Sequence, residues 1–500
     1  MSDRSGDESV DLDIIRNPNS PRFLDELQSA YLYLRLDQAD RFFKIILSFF
    51  DKKLEIDTGR EILLSLCNVL SKDAFLKLFI RKGYALSLPF SKKDYIDDLF
   101  DVLYVIVTRY PQAFDEDLCT CFQKKIKNRG EKSLMIITTF SQHFNEIDNP
   151  WPMMNLLFSS DRFTKPDIVD KYSALLSTLV QNYPEFRREH GQDSWNIVSQ
   201  MLGQVTDVSK LPILYSSLCG MAECLKRVNI SFEIIKVHLK DTTIAPYALN
   251  LLLLLPLRNS KDLEDRVLVK ILLRQAKTNK SASLVLFKLA ENENTAKILA
   301  KDPIWLNTDI PNIFDTLRLL LVVFKHEDLR LIIAETVEFL EFMQRLLELE
   351  NKEINGIICT IIRRLNLTPD LVKVLSSSNL VSNFIDQETK KNPTSDSFRD
   401  ALLLVQKLAE TCVQEDLCSK LAYIRDLVQS CSWIFSKLIT DDTYELFDDA
   451  TLVAIKLCQI PKCHKKFSEL SAPEYFAKIP KDSSQKKIAK KFLQAMNENE

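Results

Sequence analysis

The stretch SLVLFKLAENENTAKILAKDPIWL (residues 283–306) decides how the rest of the chain is read. It opens with an apolar helix that ends in a polar–leucine pair, Lys288-Leu289. A short polar break follows, then a second helix, then a third apolar patch. The same phrase returns in ICTIIRRLNLTPDLVKVLSSSNLV (358–381), in ALLLVQKLAETCVQEDLCSKLAYI (401–424) and in TLVAIKLCQIPKCHKKFSELSAPEYF (451–476). Upstream it is visible in 61–90, 133–144 and 173–186. One apolar anchor per phrase can be chosen: Leu66, Val107, Phe140, Leu179, Leu225, Leu255, Leu289, Phe324, Leu365, Leu408 and Leu457. These anchors are spaced about 39 residues apart on average. A period near 40 in helical text marks a repeat array, because one helix pair cannot bury its apolar faces unaided and stacked neighbours can.

Helical periodicity dominates between the anchors. SKKDYIDDLFDVLYVIVTRYP (91–111) places Leu99, Leu103, Ile106 and Val107 at three- and four-residue spacing and stops at Pro111. Strand-like alternation bounded by hairpin dipeptides is absent. About 25 short helices are expected. Only 8 of 500 residues are glycine, against about 7% in average usage. That scarcity disfavours parallel α/β and tight-hairpin β folds, which need glycine at turns.

The repeated phrase resembles the third helix of an armadillo repeat running into the next repeat. Arg81-Lys82-Gly83-Tyr84-Ala85 falls where that family often places its glycine. The resemblance covers about 60–490 and is to the armadillo/HEAT superfamily rather than to any member. The four tryptophans (Trp151, Trp195, Trp305, Trp433) do not recur at the period, so no nuclear-import role is carried over. The resemblance implies an all-α, right-handed solenoid of about ten or eleven degenerate repeats whose third helices line a groove. The expected organisation is a disordered acidic segment over 1–20 and a single solenoid over 21–500. QETKKNPTSDS (387–397) is the best candidate for a hinge, with an ordinary inter-helix loop as the alternative.

Charge and cysteine usage narrow the function class. The 66 basic and 69 acidic residues give a formal net charge of −3, so no global basic excess drives nucleic-acid binding. The 11 cysteines are odd in number and form no CxxC pair. Most sit in apolar helical text, as buried free thiols of a reducing compartment do. The acidic start MSDRSGDESVDLD is not read as a signal or transit peptide. The apolar runs Leu251–Leu255 and Leu319–Phe324 fall far short of the roughly 20 residues a bilayer requires. The expected location is cytoplasmic or nuclear, and the sequons at Asn229, Asn279 and Asn366 are read as chance.

Chemistry-bearing motifs are missing. No two glycines lie closer than Gly191 and Gly203, which excludes Walker A and GxGxxG loops. HExxH and GxSxG do not occur, and the five histidines are scattered. Cys458, Cys463 and His464 are the best metal candidates, but zinc takes four tetrahedral ligands and adjacent residues do not readily face one ion. They are read as core thiols and a surface histidine, with Cys119 and Cys121 alike. No catalytic residue, cofactor or metal is expected, and the protein is not expected to be an enzyme. The KKIAKKF tail (Lys486, Lys487, Lys490, Lys491) reads as a terminal capping helix with a localisation or anionic-surface patch as the alternative. Asp441, Asp442, Glu445, Asp448 and Asp449 read as solvated charge or as a dock for a basic partner.

The residues one before and two after each anchor are three apart and share a helix face. They are polar with regularity: Ser65/Asn68, Thr139/Gln142, Thr178/Gln181, Lys288/Glu291, Lys407/Glu410 and Lys456/Gln459, with Arg364 in the same slot. This stripe is read as a groove floor for an extended peptide, or else as the plain solvated face of amphipathic helices. Lys288, Glu291, Arg364, Lys407, Glu410, Lys456 and Gln459 are the candidate partner-binding residues. The expected function is a non-enzymatic scaffold for protein segments. The rivals are a regulatory subunit or pseudo-domain of a larger enzyme, a transport or nucleic-acid receptor, and a helical enzyme.

Overall fold

The computed structural model describes the chain except residues 1–8, 53, 128, 226–227, 229, 256–264, 308–312, 350, 366, 377–394, 441–445 and 499–500. No strand occurs among the described residues. The chain divides into two compact units, Met1–Ile234 and Ile235–Glu500. The division falls at 234/235; the hinge candidate spans 387–397. Residues 387–394 lie outside the described residues, and Ser395 already opens a helix.

In unit 1 the helices are α1 (Leu12–Ile15), α2 (Phe23–Tyr33), α3 (Leu36–Ser48), α4 (Ile56–Leu70), α5 (Asp73–Arg81), α6 (Ile96–Arg109), α7 (Glu116–Ile126), α8 (Gly130–Ser141), α9 (Trp151–Met154), α10 (Val169–Asn182), α11 (Pro184–Gln204) and α12 (Leu211–Cys224). Even-numbered helices stack on one another: α2 on α4, α4 on α6, α6 on α8, α8 on α10, and α10 on α12. A second layer runs beside them, with α3 on α5 and α7 on α9, and α11 wedged against α10 and α12. Residues 9–20 depart from the expected disorder. Helix α1 is capped by the Asp11 carboxylate, buries Leu12 and Ile15 and packs on α2 and α3.

Helix α13 (Phe232–His238) spans the division. Unit 2 continues with α14 (Ala245–Leu254), α15 (Arg266–Ala276), α16 (Lys280–Ala290), α17 (Glu293–Lys301), α18 (Ile313–Val323), α19 (Glu327–Ala334), α20 (Val337–Glu348), α21 (Lys352–Arg364), α22 (Pro369–Ser376), α23 (Ser395–Gln414), α24 (Leu421–Thr440), α25 (Phe447–Leu457), α26 (Pro461–Glu469), α27 (Ala472–Ala477) and α28 (Lys486–Glu498). One ladder runs α14–α16–α18–α21–α23–α25–α28, each helix packed on the next. The other runs α15–α17–α19–α20–α22–α24–α26. Each unit is thus an α-solenoid, a stack of helix pairs joined only to near neighbours.

One burial pattern is shared by the eleven ladder helices from α4 to α25. In each, a register residue is buried together with the residues 3, 4, 6 and 7 positions before it, Cys359 alone lying outside the described side chains. The register residues are Val69, Ile106, Phe140, Leu179, Met221, Leu255, Leu289, Val323, Leu365, Leu408 and Leu457, and all are buried. At 3.6 residues per turn this set covers an arc of about 160°, wider than the roughly 100° stripe of an ordinary surface helix. The extra width follows from the stack, since a ladder helix is covered on both flanks and underneath. Seven of the sequence-chosen anchors coincide with this register. Val107 and Phe324 sit one residue beyond it, and Leu66 sits one turn before it. Leu225 is a correction: it is half-buried at the end of α12, and Met221 holds the core position.

Small hydroxyls fill several core positions and let the helices close up. Ser65 Oγ donates to Leu27 O at 2.7 Å, and Ser177 Oγ to Ser217 O at 3.0 Å. Gly83, in the segment that carried the family resemblance, follows α5 with φ +73°. It ends the helix in the left-handed conformation that only glycine adopts freely. Long side chains also reach across to cap a neighbouring repeat. Lys72 Nζ donates to Tyr31 O, Tyr183 Oη to Ser141 O at 2.9 Å and Arg345 to Leu306 O at 2.8 Å. These carbonyls have no partner inside their own helix.

Candidate partner-binding face

The arc left open on each ladder helix contains the positions one and five before the register residue, and the position two after it. In unit 1 this face holds two adjoining clefts. The first, about 680 Å³, runs between α8 and α10 and is lined by Met135, Thr138, Thr139, Gln142, Thr178 and Tyr183, among others. The second, about 370 Å³, runs between α10 and α12 and is lined by Thr178, Gln181, Ile213 and Ser216. Both include Ala174 and Thr178, so they form one trough across three helices. Its floor alternates apolar surface with hydroxyls and amides. Its charged groups are paired off at one end, where Lys171 bridges to Glu131.

The sequence-selected stripe divides on this face. Thr139, Gln142, Thr178 and Gln181 line the trough, with Gln181 Nε2 donating to Ser177 Oγ at 2.8 Å. Asn68 is exposed on α4. Ser65 is not on the face. Because Leu66 is a turn out of register, Ser65 falls in the core, bonded to Leu27 O.

In unit 2 the stripe is largely engaged with neighbouring repeats. Lys288 is half-buried and its Nζ donates to Leu253 O and Leu255 O, both at 2.5 Å. Glu291 faces Lys325 at 3.9 Å. Glu410 lies 3.7 Å from Lys456 and accepts from Gln406 Nε2 at 3.0 Å. Burial lowers the Lys407 pKa, the Arg330 guanidinium adds to the effect, and Glu410 opposes it. Arg364 and Gln459 are exposed. The seven candidates therefore share a face without converging on one point.

One feature of the face escaped the sequence reading. Large apolar side chains stand in solvent five residues before the register: Leu64 (55% exposed), Met135 (43%), Leu284 (40%), Leu403 (46%) and Leu452 (47%). A usable signal was present. Leu284/Lys288, Leu403/Lys407 and Leu452/Lys456 are each four apart, so leucine and lysine must share a side of the helix.

Of the cysteine and histidine candidates, Cys458 and half-buried His464 meet different atoms of Met496, while Cys463 lies beside Cys431. Cys458 Sγ lies 3.3 Å from Met496 Sδ, and burial pushes its thiol up to about 12. Cys463 is buried beside Cys431, whose Sγ donates to Cys463 O at 3.9 Å. His464 Nε2–H donates to Met496 O at 2.8 Å. Cys119 is buried and its thiol is likewise pushed up to about 12, while Cys121 is half-buried. Among the described residues no group of three or more histidine, cysteine, aspartate or glutamate side chains is placed to hold a metal ion. Helix α28 packs on α25 and α27, burying Ala489, Phe492 and Met496. Lys486 donates to Ile479 O at 2.6 Å, and Lys487, Lys490 and Lys491 are exposed. Within the acidic cluster, 441–445 lie outside the described residues, and Asp449 pairs with Arg399 at 3.2 Å.

No protein-family model matches the chain, and no curated protein sequence matches it. Among solved structures it is similar to one from work on the phosphorylation switch controlling the interaction between cadherin and β-catenin. Identity there is 13% over 98% of each chain, with a TM-score of 0.39. It is similar to SYS-1 at 13% identity over 97% of this chain and 98% of that one, with a TM-score of 0.30. It is similar to yeast importin-β, Kap95p, at 11% identity over 98% of this chain and 61% of that one, with a TM-score of 0.28. The chain's own helix contacts, rather than these overlaps, carry the solenoid assignment. No described helix is long and apolar enough to cross a membrane.

Proposed function

We propose that the protein is a non-enzymatic scaffold that binds extended protein segments along its ladder face. The observation that carries this reading is the trough over α8, α10 and α12, continuous through Ala174 and Thr178. An extended segment brings unpaired N–H and C=O groups, which need partners when they leave water. Thr138, Thr139 and Thr178 donate their hydroxyl protons to Leu134 O, Met135 O and Ala174 O and so offer acceptors. Gln142, Gln181 and Ser216 supply donors and acceptors, and Met135 and Ile213 supply apolar contact. Helix axes about 8–10 Å apart make the crossing of three helices a span of about five or six extended residues. In unit 2 the same face carries Glu291, Arg364, Lys407, Glu410, Lys456 and Gln459 beside the exposed Leu403 and Leu452, and the same role is assigned to it. Ten of the eleven cysteines are described and free, which supports a reducing compartment, cytoplasmic or nuclear.

The test is affinity purification of the wild-type chain and of Ala174→Arg, which places a long cation in the middle of the trough. Proteins that accompany the wild type and are lost with the variant, at unchanged melting temperature, support the reading. Identical recovery with both chains, or none with either, sets it aside.

A further inference from the structure

A second surface lies on the other helix layer of unit 2. Helix α15 begins at Asp265, whose carboxylate accepts from the N–H groups of Val267 and Leu268 at 2.8 and 3.2 Å. Its sequence, RVLVKILLRQAK over 266–277, buries Leu268, Val269, Ile271 and Leu272. What remains exposed is a row of cations at Arg266, Lys270, Arg274 and Lys277, with Val267 beside it. At 100° per residue the four fall within an arc of about 80°. They form one line about 16 Å long at 1.5 Å rise per residue.

That line borders a cleft of about 240 Å³ between α15, α17 and the 3-10 turn Pro303–Asn307. At a water's share of roughly 30 Å³ this is space on the order of eight waters. Val269, Leu273, Ile298, Ile304 and Trp305 make the lining mostly apolar. Ile304 is 59% exposed at the mouth. Trp305 is held at the base by its own Nε1–H, which donates to Leu299 O at 3.0 Å. Asp302 is the one acid in the lining, and it already faces Arg266 and Lys270, each at 3.6 Å. Arg274 and Lys277 make no ion pair among the described residues.

An apolar cleft edged by four cations that share one acid, two of them with no ion pair among the described residues, selects an anionic ligand with an apolar side chain. We propose that this cleft binds an acidic extended peptide segment of a partner protein. Its carboxylates lie along Arg266, Lys270, Arg274 and Lys277, and one apolar side chain enters over Ile304. The spacings match. Cations four residues apart on a helix are separated by about 6 Å. Side chains on one side of an extended chain repeat every 6.6 Å or so. The segment therefore carries acids at alternate positions over about five residues. Nucleic acid is disfavoured because Trp305 is buried and offers no open ring for base stacking. A membrane surface is disfavoured because interfacial binding uses a broad exposed apolar face, and among the described residues of α15 and the cleft the only large apolar side chains that stand out are Val267 and Ile304.

Fluorescence anisotropy on the full chain tests this with a fluorescein-labelled peptide alternating glutamate and leucine. The wild type is expected to bind it, and binding is expected to weaken with added salt. Arg274→Glu combined with Lys277→Glu is expected to weaken binding at least tenfold, and so is Ile304→Glu, both at unchanged melting temperature. A peptide alternating glutamine and leucine is expected to bind at least tenfold more weakly. Ala174→Arg, in the trough of unit 1, is expected to leave the affinity unchanged, which separates this site from the scaffold reading. Equal affinity for the double variant and the wild type overturns the proposal, as does equal affinity for the two peptides. So does binding of phosphatidylserine vesicles or single-stranded oligonucleotide, lost in the double variant, without binding of the acidic peptide.

Discussion

The ammonium of Lys288 on α16 sits 2.5 Å from both Leu253 O and Leu255 O, the last carbonyls of α14 one repeat earlier. A residue picked from the sequence as a groove cation is thus a structural clamp between neighbouring repeats. The charge meets the negative end of the α14 dipole and satisfies carbonyls that the helix cannot.

Lys288→Met keeps the stem and removes the charge. It is expected to lower stability by ~1.5–3 kcal/mol, the range for hydrogen bonds to a charged group. Urea denaturation followed by circular dichroism checks this, with hydrogen exchange at α14 and α16 locating the loss. An unchanged midpoint with unchanged α14 exchange refutes the clamp.

Two leucines five residues apart on α23 separate core from face. Leu408 is 2% exposed and Leu403 is 46% exposed. Leu408→Ala is expected to cost ~2–5 kcal/mol through lost transfer energy and the cavity left behind. Leu403→Ala is expected to change stability by less than about 0.5 kcal/mol. Equal costs would mean that the burial register of the ladder helices is misassigned.

Gly59 lies where α4 meets the Tyr95 ring, and a Cβ there would stand 2.4 Å from Tyr95 Cε1. Tyr95 is buried, so the ring has little room to retreat. Gly59→Ala is expected to destabilise by ~1–3 kcal/mol through overpacking, despite alanine's helix preference of about 1 kcal/mol. A thermal melt of the variant decides which effect wins.

Burial pushes the thiols of Cys119, Cys412 and Cys458 up to about 12. An unfolded thiol ionises near 8.5. The raised folded value means the unfolded chain releases protons first as pH rises. The contribution of these groups is therefore complete below about pH 8.5 and is lost progressively toward about pH 12. Denaturation midpoints measured from pH 7 to 11 should fall, and less steeply after Cys412→Ala and Cys458→Ala. Iodoacetamide at pH 8, read by mass spectrometry, should label half-buried Cys121 and Cys224 well before the three buried thiols.

Much of this molecule could be read in one dimension. Leu289, Leu408 and Leu457 were identifiable as core because their apolar neighbours recur at three and four residues. The stretch 283–306 exposes its two-helix grammar directly. The trough residues Thr139, Gln142, Thr178 and Gln181 were also reachable, since polar residues three apart must share a side. The cleft beside Trp305 was not. Its cation row is visible in RVLVKILLRQAK, but the apolar wall opposite comes from α17 and Pro303–Asn307, about thirty residues away.

Helix class and repeat spacing followed from the sequence itself, because both rest on local terms: 3.6-residue periodicity, scarce glycine and the recurrence of one phrase. Register and role did not. A ladder helix buries about 160° of its surface, so apolar residues occupy two flanks and several phases look alike. That is how Leu66 displaced Val69 and Leu225 displaced Met221, and how Ser65 came to be placed on an open face. Which cation is free and which is a clamp depends on a carbonyl some 35 residues away. Only the packing of one repeat on the next brings Lys288 to Leu253 and leaves Arg364 in water.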